Sequence, residues 1–321
     1  MPLPEGLEFL YVDNPNSSLL ALQAFKTELE KTPGFEHLGL TETGLEDIRQ
    51  QARESLRRVV TSAGGSQCIL SAEAISTFSE DELQEMHDFF APDFDEIQVF
   101  IYVRPIKERI ESGFQEVLKT RFRSVNHRIR MNYMVIAERF DTVFGPKNVH
   151  FFRYSRDAFP DGSIIADFLR QFGAAPLALD TAISNTRLSR EAVKLLYTYR
   201  RNYPSQQSGD SILIRKLESL MKYDSTPFRF HSSLYNRVLL SDESTARRFS
   251  ERSGFSVNEN ISAHDSVGVR DEEDLLAISS EAVEWLNDNL PPEAKGALQK
   301  PYCPVKIAEA LDSMRLALSG D

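Results

Sequence analysis

Residues 99–114 read VFIYVRPIKERIESGF, and this stretch decides the fold that the sequence predicts. The run VFIYV is apolar and rich in β-branched and aromatic side chains, which is typical of a strand buried on both faces. Pro105 ends the strand, and a helical pattern begins at about Ile106. Ligands of open α/β sheets bind beyond the carboxyl ends of the strands. We therefore expect Arg104, at that end of the strand, to contact a ligand.

Ser112 follows Arg104 by eight positions, about two turns into the predicted helix. A guanidinium presents a planar set of donors that suits phosphate, and a hydroxyl adds another donor to the same anion. The element resembles the 3′-phosphate-binding element of the sulfotransferases that use 3′-phosphoadenosine 5′-phosphosulfate (PAPS). In that family a strand leads to an Arg, a Pro-containing turn, and a helix with a Ser eight residues after the Arg. An ordinary strand, turn and helix is the alternative.

The beginning of the chain also predicts a strand, a loop and a helix, which is where a phosphate-binding loop belongs. From Tyr11 to Phe25 it is similar, without gaps, to the loop and first helix of bacterial carbohydrate-type sulfotransferases. However, Asn16 stands where that family has its Lys, Ser18 replaces the Gly, and Leu19 replaces a Thr. The loop therefore keeps the length that it has in that family but lacks the lysine and its positive charge.

Three polar residues of this loop remain candidates for binding the 5′-phosphosulfate of the cofactor: Asn16, Ser17 and Ser18. Their side chains and the backbone N–H groups at the helix start suit an anion. A plain N-capped helix with Ser17 or Asn16 as its cap is the alternative.

The resemblance covers about Glu8 to Leu169 and implies a general base that accepts the proton of the acceptor hydroxyl. His37 follows the first helix, and Glu73 follows the second strand, where similar sulfotransferases often have a Ser-Ser-Glu. These two residues are the candidates for the base, with a structural role for each as the alternative.

The predicted fold is α/β, a P-loop-like parallel sheet of four or five strands flanked by helices, with a helical C-terminal half. Its four identified strands are listed here: Leu7–Val12, Gln67–Leu70, Gln98–Val103 and Val149–Arg153. Right-handed crossovers through the intervening helices make these strands neighbours. The chain is interpreted as one domain, 1–321, with a sheet core at 1–175 and a mainly helical cover at 176–321.

Residues 119–130 are the densest basic stretch, and their apolar interleaving predicts that the preceding helix continues through them with one charged face. A solvated helix face is one interpretation. The other is a basic wall for an anionic sugar or for the cofactor phosphates.

The composition is that of an ordinary globular chain of 321 residues, with 41% hydrophobic and 26% charged residues. A net charge of −11 argues against nucleic-acid binding. Cys68 and Cys303 are too few for a disulfide framework, and the histidines lack the spacing of a metal site. The sequence shows no signal peptide and no apolar run of membrane length, so a cytoplasmic protein is expected.

Three hypotheses follow. The first is a sulfotransferase that transfers sulfonate from PAPS to a hydroxyl of a carbohydrate or polysaccharide, whether neutral or anionic, and releases 3′-phosphoadenosine 5′-phosphate (PAP). No metal is expected. The second is a non-catalytic binding module with the same fold, which the replaced loop lysine favours. The third is a different P-loop-like nucleotide-binding or glycosyl-transfer protein.

Overall fold

The structure, a computed structural model, describes residues 7–9, 16–32, 34–36, 38–63, 67–171, 188–240, 242–296, 298 and 302–319. In these residues the strands are β1 (Leu7–Phe9), β2 (Gln67–Ile69), β3 (Val99–Val103), β4 (Ile129–Arg130), β5 (Val149–Arg153) and β6 (Leu239–Leu240). The α-helices of the N-terminal half are α1 (Ser18–Phe25), α2 (Glu42–Ser62), α3 (Glu80–Phe90), α4 (Ile106–Thr120), α5 (Tyr133–Phe144) and α6 (Ile164–Arg170). Those of the C-terminal half are α7 (Arg190–Asn202), α8 (Asp210–Glu218), α9 (Ser232–Val238), α10 (Glu243–Ser253), α11 (Glu272–Leu276), α12 (Ser280–Asn289) and α13 (Pro304–Ser319). The predicted mixed α/β class is confirmed. Within the described ranges, no helix is both long enough and apolar enough to cross a membrane.

The strands form parallel pairs. β1 pairs with β2, from Leu7 opposite Gln67 to Phe9 opposite Ile69. β3 pairs with β5: the Val99 N–H donates to the Asn148 carbonyl, and the Tyr154 N–H donates to the Val103 carbonyl, each at 2.8 Å. Because both bonds advance along both strands together, β3 and β5 run in the same direction. β4 and β6 form a further parallel pair, which the sequence did not predict.

The single sheet of four or five strands is not seen in the residues that the structure describes, where hydrogen bonds join the strands only two by two. Each predicted strand corresponds to an observed one, but β1 and β2 have only three described residues each. Strands of three residues are at the short end of the usual range and supply few ladder hydrogen bonds. Residues 10–12, predicted to continue β1, lie outside the described residues.

The chain divides into two compact units, and the first of them, unit 1, comprises Met1–Tyr102, Tyr133–Phe152 and Arg156–Leu177. Helices α1, α2, α3 and α5 pack together in it. Phe25, Leu56 and Leu83 are fully buried at this contact, and the ring centroids of Phe25 and Phe89 lie 5.4 Å apart. Burial of each such side chain contributes roughly 1.5–3 kcal/mol.

Unit 2 comprises Val103–Asn132, Arg153–Ser155 and Ala178–Asp321. Within it α4 packs on α7 and α8, and α13 covers both of those helices. Phe114 of α4 stacks on Phe228 with a centroid distance of 5.7 Å. The only tryptophan, Trp285, is buried in α12. Helix α4, expected in the sheet core at 1–175, thus belongs to the same unit as the C-terminal helices.

Capping residues set the helix starts. The Ser79 hydroxyl accepts from the Glu82 N–H at 3.2 Å, and the Glu82 carboxylate accepts from the Ser79 N–H at 2.8 Å, which forms a capping box at the start of α3. The Ser189 hydroxyl accepts from the Ala192 N–H at 3.3 Å at the start of α7. In both helices the capping serine directly precedes the first helical residue, Glu80 or Arg190.

The prediction that α4 continues through the basic stretch is wrong, since the helix ends at Thr120. The Phe122 N–H donates to the Pro204 carbonyl at 2.7 Å, outside any helical pattern. The buried Arg200 guanidinium donates to the Leu118 and Lys119 carbonyls at 2.8 and 2.6 Å. These partners, which are distant in sequence, satisfy carbonyl groups of the last helical turn and end the helix.

Candidate functional site

Arg104 lies where the first prediction put it, directly after β3 and before the turn at Pro105. Its side chain is half-buried, and its Nη1 donates to the Ser112 Oγ at 3.1 Å. Two turns of α4 carry the hydroxyl back over the helix start, because helical side chains point towards the N-terminus. The structure therefore brings together the two residues that the eight-residue spacing singled out.

Tyr154 is a member of this site that the sequence analysis missed. The Arg104 Cζ lies 4.6 Å from the centroid of the Tyr154 ring, within the range of a cation–π contact. Arg104 directly follows β3, and Tyr154 directly follows β5. Because the two strands are parallel, their carboxyl ends lie at the same edge of the pair. The signal that would have found Tyr154 is its position at the carboxyl end of the second strand of this pair. The contact orients a flexible guanidinium.

A polar segment, residues 257–269, covers the first turn of α4, and we call it the strap. The Ile106 N–H donates to the Val257 carbonyl at 3.0 Å, and the Glu108 N–H donates to a Glu259 carboxylate oxygen at 3.1 Å. The Lys107 Nζ donates to the Ile261 carbonyl at 2.7 Å. The strap therefore occupies hydrogen-bond donors at the helix start that could otherwise bind an anion.

Buried charges lie on the α4 face beside the strap. The Glu111 carboxylate accepts from the Arg229 Nη1 at 2.9 Å and from the Phe230 N–H at 2.8 Å, and the Lys107 Nζ lies 3.9 Å away. Burial raises the pKa of Glu111, and the nearby donors offset only part of that rise. Glu111 thus ties α4 to the segment that precedes α9.

The loop before α1 packs against the segment that follows β2. The Ser17 N–H donates to the Ser71 carbonyl at 2.8 Å, and the Ala74 N–H donates to the Ser18 Oγ at 3.2 Å. The Asn16 Oδ1 accepts from the Ser18 N–H at 3.0 Å. Ser17 is buried but does not cap α1 with its side chain. The loop is therefore an ordered turn beside a second polar segment.

Glu73, one candidate for the base, begins the 3-10 helix Glu73–Thr77, is exposed, and immediately precedes Ala74. The structure thus brings Glu73 into the neighbourhood of the loop serines. His37, the other candidate, lies outside the described residues.

Lys26 is the nearest lysine after the loop and a natural substitute for the missing cation. Its Nζ instead donates to a Glu82 carboxylate oxygen at 2.8 Å. Lys119, in the basic stretch, pairs with Glu116 at 2.8 Å. Each ammonium therefore already has a carboxylate partner in this conformation.

The predicted site residues fall into two groups. Arg104 and Ser112 lie in unit 2, whereas Asn16, Ser17, Ser18 and Glu73 lie in unit 1. Among the described residues no cluster of His, Cys, Asp and Glu suits a metal ion.

Comparisons of the chain with models of protein families, with curated proteins and with solved structures find no match.

Proposed function

We propose that the chain is a sulfotransferase-like protein that binds PAPS and transfers its sulfonate to a carbohydrate hydroxyl. One observation carries this proposal: the Arg104 guanidinium and the Ser112 hydroxyl lie 3.1 Å apart at the carboxyl end of β3. A planar cationic donor beside a hydroxyl suits the 3′-phosphate of PAP and PAPS. The stacking of Arg104 on Tyr154 adds support, because an oriented side chain loses less conformational entropy when it binds.

The proposal assigns the 5′-phosphosulfate to the loop residues Asn16, Ser17 and Ser18. The ordered packing of this loop against the segment after β2 supports the assignment. Glu73 and His37 are the proposed bases for the acceptor hydroxyl, and the position of Glu73 beside Ala74 favours Glu73 of the two.

A second function, cofactor binding without catalysis, is favoured by one observation. Negative charge develops on the leaving phosphate oxygen during sulfonate transfer, and a fixed cation there accelerates the reaction. Asn16 brings no charge to that position, and Lys26 is paired with Glu82. Turnover of PAPS with a carbohydrate acceptor separates the two functions: release of PAP supports the enzyme, and binding of PAP without release supports the binding module.

The proposal extends to the fold and the location. We infer that the two strand pairs β1–β2 and β3–β5 belong to one P-loop-like parallel sheet, which both parallel pairings favour. Amide-to-amide contacts between the two strand pairs in a nuclear magnetic resonance spectrum would test this.

A cytoplasmic location is favoured by the free thiols of Cys68 and Cys303, and fractionation of cells would test it.

Titration calorimetry with PAP tests the proposed function. Wild type should bind PAP but not ATP. Arg104→Ala should weaken PAP binding about ten-fold or more, because a charged hydrogen bond to phosphate is worth about 1.5–3 kcal/mol. Ser112→Ala removes one hydroxyl and should have a smaller effect. The matched control is Arg215→Ala, an exposed arginine of α8.

Unchanged PAP affinity in a folded Arg104→Ala protein would contradict the assigned role. Equal binding of ATP would instead favour a different nucleotide-binding protein. Circular dichroism of each variant confirms that it is folded.

A further inference from the structure

Two arginines beyond the end of α4 lack an acidic partner among the described residues. The backbone of Arg121 is extended, with φ −153° and ψ 163°. One residue separates Arg121 from Arg123, and their charges are close enough to interact. Within the described ranges, neither guanidinium has a hydrogen-bonding or ion-pair partner. We call these two residues the arginine pair.

The segment that carries the arginine pair is anchored in unit 2. The Phe122 N–H donates to the Pro204 carbonyl at 2.7 Å, and the Phe122 ring centroid lies 5.4 Å from that of Tyr197. Val125, two residues after Arg123, is buried. The arginine pair is therefore presented by a fixed segment.

The charges of the arginine pair are not compensated within unit 2 as described. Arg123 is half-buried. Burial lowers the pKa of its guanidinium, and the nearby charge of Arg121 lowers it further. Two like charges held close together on a fixed segment repel each other, and a bound anion would relieve this repulsion. Most other buried cations of this unit, such as Lys107 and Arg200, have partners.

We propose that the arginine pair binds a carboxylate or sulfate group of the acceptor, so that the acceptor is an acidic carbohydrate. This inference rests on the proposed function and names its substrate class. Arg121 follows Ser112 by nine residues, which is about 13 Å along a helix. The two phosphates of PAP flank a single ribose and lie closer together than that. The arginine pair therefore suits a second molecule better than the other phosphate of a nucleotide held by Ser112.

The surroundings favour a short acidic sugar over a nucleic acid. Duplex DNA is typically held through roughly 6–10 phosphate contacts. Two arginines on a chain of net charge −11 do not supply such a surface. One or two charged groups of an oligosaccharide need only the arginine pair.

Titration calorimetry on the full chain tests this inference. The probes are a hexamer of galacturonic acid and a heparin hexasaccharide, with maltohexaose as the neutral control and hexaglutamate as the acidic peptide control. Wild type should bind at least one acidic sugar and neither control. The double variant Arg121→Gln, Arg123→Gln should bind it about ten-fold more weakly or worse. PAP affinity should stay unchanged.

The matched control is the double variant Arg215→Gln, Arg247→Gln, which removes the same charge from exposed positions of the same unit. Its affinity for the acidic sugar should match that of wild type. An unchanged affinity of the arginine-pair variant, or equal binding of maltohexaose, would overturn the inference. Equal binding of hexaglutamate would replace the sugar with an acidic peptide. If the chain binds PAP but neither acidic sugar, this inference is wrong and the proposed function stands. If the chain binds an acidic sugar but not PAP, the proposed function is wrong, and the sugar is then not its acceptor.

Discussion

Glu82 shows how one carboxylate holds several parts of unit 1 together. It accepts from the Lys26 Nζ, the Thr27 N–H and the Ser79 N–H, each at 2.8 Å. Burial alone would raise the pKa of Glu82, but these donors outweigh it, so its pKa lies below the ordinary value of 4.5. The ionised carboxylate therefore joins the end of α1 to the start of α3.

Glu82→Gln should destabilise the protein at pH 7 by about 1.5–3 kcal/mol, because it removes the charge that strengthens these hydrogen bonds. The folded pKa is lowered, so the stabilisation is present above about pH 4.5 and is lost as the pH falls through the folded value. The difference in unfolding free energy between wild type and variant should thus shrink from pH 5 towards pH 3. Urea unfolding followed by circular dichroism at several pH values measures this.

Glu80→Gln is the matched control, an exposed glutamate in the same helical turn. It should change the unfolding free energy little and leave its pH dependence intact. A constant difference between Glu82→Gln and wild type over the whole pH range would show that the charge of Glu82 is not responsible.

At the scale of elements, α4 shows what the sequence could predict. Its start follows from Pro105, which ends a strand and sets the backbone for a helix, and its contact between Arg104 and Ser112 follows from helical spacing. Both signals are local. Its end could not be predicted, because Arg200 and Pro204, about 80 residues away, satisfy the last carbonyls and redirect the chain. Propensity and periodicity contain no information about such partners.

The same limit applies to the rest of the candidate site. Tyr154 and Glu259 lie 50 and 155 positions after Arg104 along the chain. Only the pairing of β3 with β5, and the docking of the strap, bring their segments to α4. The strap is a polar segment, and nothing in its composition indicates which helix it covers.

The strap sets the charge at the start of α4, and this can be tested. Glu259 puts a carboxylate on the positive end of the helix dipole, at the N–H of Glu108, which lies four residues after Arg104 and four before Ser112. Glu259→Gln keeps an acceptor for the Glu108 N–H but removes the negative charge. If PAP binds at Arg104, the variant should bind PAP roughly two- to five-fold more tightly, since such charges are worth about 0.3–1 kcal/mol.

Glu243→Gln makes the same change at the first turn of α10 and serves as the control. Calorimetry at low ionic strength compares the two variants. Weaker PAP binding by Glu259→Gln would mean that the carboxylate supports the site through structure rather than opposing the anion through charge.

The loop before α1 allows a test of catalysis. The triple variant Asn16→Lys, Ser18→Gly, Leu19→Thr restores the lysine, glycine and threonine that the resembling family has there. If the chain has a working base and acceptor site, PAPS turnover should rise by about 10²–10³, the usual effect of a preorganised donor at a developing charge. Release of PAP in the presence of an acceptor is the measurement.

Ser18→Gly removes the acceptor of the Ala74 N–H, so Asn16→Lys alone is the companion variant that leaves this bond in place. No gain of turnover in either variant, with PAP binding retained, would favour the non-catalytic function. Fast turnover by wild type would show that another cation acts at the loop.

At the scale of the whole molecule, neither unit is a continuous piece of chain. Unit 2 takes α4 from the N-terminal half, and that helix buries Ile110, Phe114 and Leu118. A fragment of residues 1–175 would lack α7 and α8, on which α4 packs. Each of the three side chains exposed there would lose about 1.5–3 kcal/mol of stabilisation. We therefore expect α4 to be unfolded in this fragment, so that circular dichroism shows less helix than the same residues form in the full chain.

Mixing the fragment with residues 176–321 should restore part of the lost helix signal, because the second fragment supplies the helices on which α4 packs. A full helix signal from residues 1–175 alone would mean that α4 folds without α7 and α8.

The buried Trp285 gives this two-unit division a spectroscopic consequence. It is the only tryptophan of the chain and lies in α12 of unit 2. The tryptophan emission therefore reports on unit 2 and not on unit 1. Protonation of Glu82 acts in unit 1. During an acid titration, a loss of ellipticity that precedes the red shift of the emission would therefore assign the first opening to unit 1. Coincident changes would mean that the two units unfold as one cooperative system.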